Sequence, residues 1–235
     1  MQLSAYNDQK GKNMNIQEDN PWVKLPTNSW EKITKNITPA RFERNAIIYH
    51  QGDILNYAFI VKSGRVRLSY YSAGGEEKGV YIAEQNCMFG EAVALPGYTT
   101  YYTATAIVDT ELYLIPVSRL LEAINTDPDF ALQIILLMSR KMRIYSVQGV
   151  ELSFTETYAR ICHALTYIAE TYGTRTEEGI KIKIKFTHQE LANMIHASRV
   201  SVANVFSELT RKGIIHKDNG YYTIKKPEKL IPEEP

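Results

Sequence analysis

Thr187-His188-Gln189-Glu190-Leu191-Ala192-Asn193-Met194-Ile195, then His196-Ala197, then Ser198-Arg199-Val200-Ser201 decide the reading of this 235-residue chain. Thr187 followed three residues later by Glu190 is a capping box, in which each side chain takes up an otherwise unpaired backbone N–H at the start of a helix. His196-Ala197 make a turn, and Ser198 caps a second helix that runs through Lys212 and stops at Gly213. The small Ala192 lets the two helices approach closely, while Leu191, Ile195, Val202, Val205, Phe206 and Leu209 stand where such a pair needs apolar groups. Ile214-Ile215, Asp218-Asn219-Gly220 and Tyr221 to Ile224 then read as strand, turn and strand, a hairpin wing.

Charge gives the motif a partner. The whole chain carries a formal net charge of +1, yet between Lys181 and Lys226 nine Lys and Arg stand against three Asp and Glu. That local surplus is the footprint of a module that binds a polyanion, here double-stranded DNA. The second helix of such a motif enters the major groove, so its outward residues Arg199, Val200, Ser201 and Asn204, led by the cap Ser198, meet base edges. Arg199 suits a bidentate bond to guanine, Asn204 pairs with adenine, and Val200 touches a thymine methyl. Thr187, Gln189, His196 and Lys212 are placed for phosphates, which position the protein without specifying sequence. A winged helix used only for protein contacts is the competing reading, and the basic surplus argues against it.

Upstream, residues 41 to 116 read as short strands rich in β-branched and aromatic residues, including Tyr57 to Val61, Arg65 to Tyr70 and Gly79 to Ile82, punctuated by Gly52, Gly64, Gly74-Gly75 and Gly97. They predict an antiparallel roll, with Arg67, Ser69 and Tyr71 on a wet face and Val66, Leu68 and Tyr70 on a dry one. Ser118 is expected to cap a short helix, and Asp127 with Pro128 to open a long one. In the long helix Ala131, Ile135, Met138, Met142, Tyr145 and Gly149 recur at spacings of four and three, a coiled-coil seam, with Phe130, Ile134 and Leu137 as a second stripe. One stripe packs on the roll and the other on a twin helix, giving a homodimer; a helix buried on both sides within one domain is the alternative. A further helix from about Thr155 to Tyr172 ends at Gly173, and Lys181 to Phe186 alternates as a strand. The fold class is α+β: a β-roll sensing domain with its polar arm over 1–126, a central dimerisation helix over 127–153, and a winged helix-turn-helix over 154–235.

Several functions are excluded by what is missing. Cys87 and Cys162 lie far apart, so no disulfide framework or cysteine-only metal cluster is expected, and no cofactor. No phosphate-binding loop, nucleophile elbow or His-Glu-x-x-His spacing occurs, so no catalytic or metal residues are assigned and the chain does not read as an enzyme. The polar stretch from Met1 to Asn20 lacks the apolar core of a signal peptide, and no run is long enough to cross a bilayer; a cytoplasmic protein without membrane partners is expected.

Taken in order, Ile47-Ile48-Tyr49-His50-Gln51-Gly52-Asp53, Phe59 to Gly64, Phe89-Gly90-Glu91, Thr187 to Ala192 and Ala197-Ser198-Arg199 resemble the Crp/Fnr family of bacterial regulators from about Arg41 to Lys226. The resemblance implies a β-roll sensor, a dimerising helix, a palindromic operator, and RNA polymerase as partner if the regulator is an activator. Arg199 matches the family's central base-reading arginine, while Val200 stands at its glutamate position and Asn204 at its later arginine, so the half-site should differ from the catabolite activator sequence.

The same resemblance places an effector site and departs from the family there. Cyclic-nucleotide-binding members run from Gly-Glu to Arg-Ser or Arg-Thr; here Gly90 and Glu91 are followed by Thr100-Tyr101, with no arginine between Glu91 and Arg119. A cyclic phosphate would lose its water without gaining a charge partner. The oxygen-sensing branch needs an N-terminal cysteine cluster, which this chain lacks, and His50 alone is not a heme motif. Tyr98, Tyr101 and Tyr102 from the cassette, with Tyr145 and Ser146 where the family's central helix touches its ligand, offer an aromatic lining with hydroxyl handles for an aromatic acid or a phenol. Halophenol-sensing members, which also lack the arginine, follow that pattern. A ligand-independent regulator of the same architecture and a cyclic-nucleotide regulator with a non-standard cassette stand as the alternatives.

Overall fold

A computed structural model of the chain describes residues 22–23, 30–91 and 97–230; most of the polar N-terminal arm lies outside them. In chain order the elements are β1 (Trp22–Val23), α1 (Glu31–Thr34), β2 (Ala40–Phe42), β3 (Ile47–Tyr49), β4 (Tyr57–Ser63), β5 (Val66–Tyr71), β6 (Glu77–Ala83), β7 (Met88–Phe89), β8 (Thr103–Ala106) and β9 (Thr110–Pro116). Then follow α2 (Val117–Thr126), α3 (Pro128–Phe154), α4 (Thr157–Tyr172), β10 (Gly173–Thr176), β11 (Gly179–Ile182), α5 (His188–Met194), α6 (Arg199–Arg211), β12 (Ile215–Asp218) and β13 (Tyr221–Ile224).

Two sheets form the roll, in the orders β1-β6-β5-β8-β3 and β2-β9-β4-β7, antiparallel apart from the short β1–β6 pair. Their facing side chains, among them Val61, Leu68, Phe89 and Leu112, make its core. Along β5 the face expected to be wet is covered at Ser69, which is buried. Ser69 stays on the side of Arg67, whose Nε donates to its hydroxyl at 3.3 Å, and that hydroxyl donates to Glu77 Oε1 at 2.7 Å, where Glu77 meets Asn193 of the winged unit.

Asp127 caps α3 by accepting from the N–H groups of Asp129 and Phe130, with Pro128 in the first turn. Ser118, in contrast, is not a cap: α2 starts one residue earlier, and the Val117 N–H is taken up by Asn56 O at 3.1 Å, so no side chain is needed. Along α3, Phe130, Leu137, Lys141 and Ile144 face the roll. Leu132, Ile135, Leu136 and Met142 are exposed. Of the expected seam, Ile135, Met142 and Gly149 lie on this open face, while Ala131 is half-buried and Met138 packs against the roll.

The strand expected over Lys181 to Phe186 is displaced toward the N-terminus. β11 ends at Ile182, and its partner is a strand absent from the sequence reading, β10, which begins at Gly173 where a helix stop was expected. A side chain at Gly173 would meet Ala169 O at 2.1 Å, so glycine alone permits the turn straight from helix to strand. The third sheet, β10-β11-β13-β12, backs α4, α5 and α6.

This winged unit sits directly on the roll. Ile82 of β6 belongs to the same apolar cluster as Leu165, Ile168, Leu191 and Met194. The Tyr172 hydroxyl donates to Glu84, and Glu77, held by Arg67 at 2.8 Å, accepts from Asn193 Nδ2 at 3.1 Å.

Candidate DNA-reading and effector sites

The capping box is complete: Thr187 Oγ1 accepts the Glu190 N–H at 3.1 Å and Glu190 Oε2 accepts the Thr187 N–H at 2.6 Å. His196 takes the left-handed turn conformation, φ 53°, and Ser198 Oγ accepts the Ser201 N–H at 2.9 Å, starting α6. Val202, Val205, Phe206 and Leu209 turn inward, which leaves Arg199, Val200 (67% exposed) and Asn204 on the outer face. Ser201 is half-buried against Ser198.

A residue the sequence reading passed over fixes this helix. The His188 ring packs 4.9 Å from that of Phe206, and its Nε2 meets Tyr222 Oη at 3.0 Å. Burial, with Lys217 and Arg199 nearby, lowers its pKa below the usual histidine value. Its position one residue after a cap, beside an aromatic-rich hairpin, was the available signal.

The four residues assigned to phosphates are engaged unequally. Gln189 Nε2 donates to Asn193 Oδ1 at 2.6 Å and so joins the Glu77 network toward the roll. His196 is half-buried, its Nδ1 unpartnered among the described residues, and burial with Lys78 and Arg160 lowers its pKa, which makes it a poor phosphate cation. Lys212 is tied to Glu208 one turn earlier, and the Thr187 hydroxyl is occupied by its cap.

At the expected effector site, Gly90 turns with φ 74° and Glu91 meets the long helix. Lys141 Nζ donates to Glu91 Oε1 at 2.6 Å, to Met88 O at 3.0 Å and to Tyr81 Oη at 3.2 Å, and its side chain is 5% exposed. Glu91 Oε2 has no partner among the described residues. Tyr102 and Tyr145 share a hydroxyl hydrogen bond beside it. Burial and the Glu91 charge push the Tyr49, Tyr81 and Tyr145 phenols well above their ordinary range, and burial raises the Cys87 thiol to about 12. All four groups are neutral at physiological pH.

Glu91, Tyr102 and Tyr145 therefore converge, and Lys141, Tyr49 and Tyr81 join them unforeseen. The signal for Lys141 was its spacing, four after Leu137 and three before Ile144 on the apolar stripe. Four expected residues do not converge. Tyr98 and Tyr101 are exposed, the latter stacked on Tyr70 at 5.2 Å; Thr100 is a turn pin, its hydroxyl donating to His50 O at 2.7 Å; Ser146 donates to Met142 O within its own helix. Among the described residues no three His, Cys, Asp or Glu are grouped to hold a metal ion, and no helix is long and apolar enough to cross a membrane.

Comparison with known proteins agrees with this geometry. Residues 39–127 match the model of the cyclic nucleotide-binding domain, and residues 159–232 that of the Crp-like helix-turn-helix domain. The global nitrogen regulator of Nostoc sp. is 27% identical over 188 residues, 79% of this chain and 84% of that protein. A CRP-like cAMP-activated global transcriptional regulator of Mycobacterium tuberculosis is 25% identical over 199 residues, 84% and 88% of the two chains. In fold, the chain resembles a CooA mutant from Carboxydothermus hydrogenoformans, with a TM-score of 0.72 at 22% identity over 87% and 90% of the two chains.

Proposed function

Because this chain belongs to the Crp/Fnr family of DNA-binding transcription regulators, we propose that it acts as a homodimer on a palindromic operator, governed by a small organic effector other than a cyclic nucleotide. The observation that carries the DNA reading is the outer face of α6, where Arg199, Val200 and Asn204 stand exposed along a helix whose N-terminus Ser198 caps. Dimerisation through residues 127–153 is supported by the apolar face of α3, because a monomer would leave Leu132, Ile135, Leu136 and Met142 in water. Residues 1–126 then sense, residues 154–235 read DNA, and the protein works in the bacterial cytoplasm, with RNA polymerase as partner where it activates.

The tyrosine-lined site supports an aromatic or weakly acidic organic effector. Neutral phenols supply walls and hydroxyl handles, and Lys141, the cation facing Glu91, is already held by that carboxylate. Selection of bound sequences from a random duplex pool tests the DNA reading: a two-fold symmetric site is expected, and an unenriched pool overturns it. Native mass spectrometry of protein from its own host tests the effector, with an organic molecule expected to co-purify. Cyclic AMP at 100 times its dissociation constant would stabilise the fold by about 2.7 kcal/mol. We expect no such shift, and observing one returns the site to a cyclic nucleotide with Lys141 as the phosphate contact.

A further inference from the structure

Where the winged unit rests on the roll, a cavity of about 240 Å³ remains between them. Its apolar walls come from both sides, Ile82 and Ile107 from the roll, Ile168, Leu191 and Met194 from the winged unit. Among the described residues five cations also line it, Arg44, Arg65, Arg67, Lys183 and Lys185, against a single acid, Glu190. None of these residues belongs to the Glu91–Lys141 site.

Three of the cations already have company and Glu190 is held in its cap. Arg67 pairs with Glu77 at 2.8 Å, Arg65 lies 5.6 Å over the Tyr172 ring, and Lys185 lies 4.8 Å over that of Tyr221. The Arg44 guanidinium and the Lys183 ammonium have no ion pair among the described residues, Asp109 being held by the Arg44 backbone N–H at 2.9 Å, and both side chains are exposed at the mouth. An apolar chamber with unpaired cations at its entrance is complementary to one kind of small molecule: its body removes apolar surface from water and its head takes charge-assisted hydrogen bonds.

We infer that this cleft is a second ligand site, for a small amphipathic organic anion whose apolar body lies between β6 and α5 and whose charged head meets Arg44 and Lys183. A molecule that touches both walls binds only while the units are docked. By its differential affinity it therefore favours the docked arrangement over any in which they part.

Methionine methyl groups report on the site directly. Of the four methionines among the described residues, Met194 alone lines the cavity, while Met88, Met138 and Met142 lie elsewhere in the fold. With full-length protein labelled at the methionine methyls, octanoate is expected to shift the Met194 signal saturably, and octan-1-ol at the same millimolar concentration to do so at least tenfold more weakly. The exposed pair Arg44→Ala and Lys183→Ala together should weaken octanoate roughly tenfold while leaving the melting curve of the free protein in place. A Met194 signal that does not move overturns the inference. Equal binding of the alcohol, undiminished affinity in the double variant, or shifts confined to Met88, Met138 or Met142 overturn it as well.

Discussion

Lys141 Nζ lies 2.6 Å from Glu91 Oε1, so an ammonium carried by the long helix closes on the carboxylate that follows the Gly90 turn. The pair is unequal, with the lysine side chain 5% exposed and the glutamate 26%. Removing one partner of a buried pair leaves the other uncompensated, and the deeper charge suffers more. Glu91→Gln should therefore cost about 3 kcal/mol of stability and Lys141→Met only about 1 kcal/mol, because the freed carboxylate turns to water. Urea melts of both variants and the double variant check this; equal losses would overturn the asymmetry, and strict additivity would show that the pair is not coupled.

Met142 is 69% exposed in one chain, on a face with Ile135 and Leu136. Met142→Asp puts a charge where the twin helix should pack, and an unpaired buried charge is strongly unfavourable. Sedimentation of the variant should give a monomer at micromolar concentration. A dimer of unchanged strength would move the interface off this face.

Arg199 and Lys212 should fail differently. Arg199 stands free at the start of α6, and Arg199→Ala should lose roughly 1–3 kcal/mol per half-site and relax preference at one base pair. Lys212 is held by Glu208, so Lys212→Ala should weaken all sequences alike and lower the salt slope by about one unit per contact at most. Site selection with wild type and both variants decides. If Arg199→Ala lowers affinity but keeps the full preference, Arg199 is a phosphate clamp.

The lowered pKa of His196 has a consequence for stability. Above the ordinary histidine value of 6.5 the ring is neutral in folded and unfolded chains and contributes nothing to the difference. As the pH falls below 6.5 the unfolded chain takes up a proton that the folded one refuses, so stability declines until the folded ring itself titrates. His188 acts with the same sign, whereas Asp127 and Glu111, held below 3.8 and 4.5, lose their pairing only at more acidic pH. The urea midpoint should drop between about pH 7.5 and about pH 5.5, and His196→Asn, which tolerates the left-handed turn, should reduce the drop. An identical pH profile in the variant would remove His196 as a source.

Local chemistry was legible in the sequence and proximity was not. The Thr187–Glu190 box, the Asp127 cap and the wing turn rest on contacts within a few residues, and the structure has all of them. Ser118 misled because what satisfies Val117 comes from Asn56, far back in the chain, whereas Gly173 ends its helix as read, since what it must clear is Ala169 one turn back. At the candidate effector site Gly90-Glu91 was readable as a motif, but Lys141 reaches Glu91 from 50 residues away. Tyr98 and Tyr101 share a loop with Tyr102 yet point to solvent, a matter of backbone direction that residue type does not carry.

Gly79 lies against α5, where an added Cβ would stand 2.7 Å from Met194 Sδ and 3.4 Å from the Asn193 backbone. The close atom is the end of a flexible side chain, and the cavity of about 240 Å³ beside Met194 gives it somewhere to go. Gly79→Ala therefore displaces the thioether and leaves the α5 backbone where it is, in ordinary contact at 3.4 Å. The void between roll and winged unit works as slack, absorbing a change at their seam that a fully packed interface would pass on to the helix behind it.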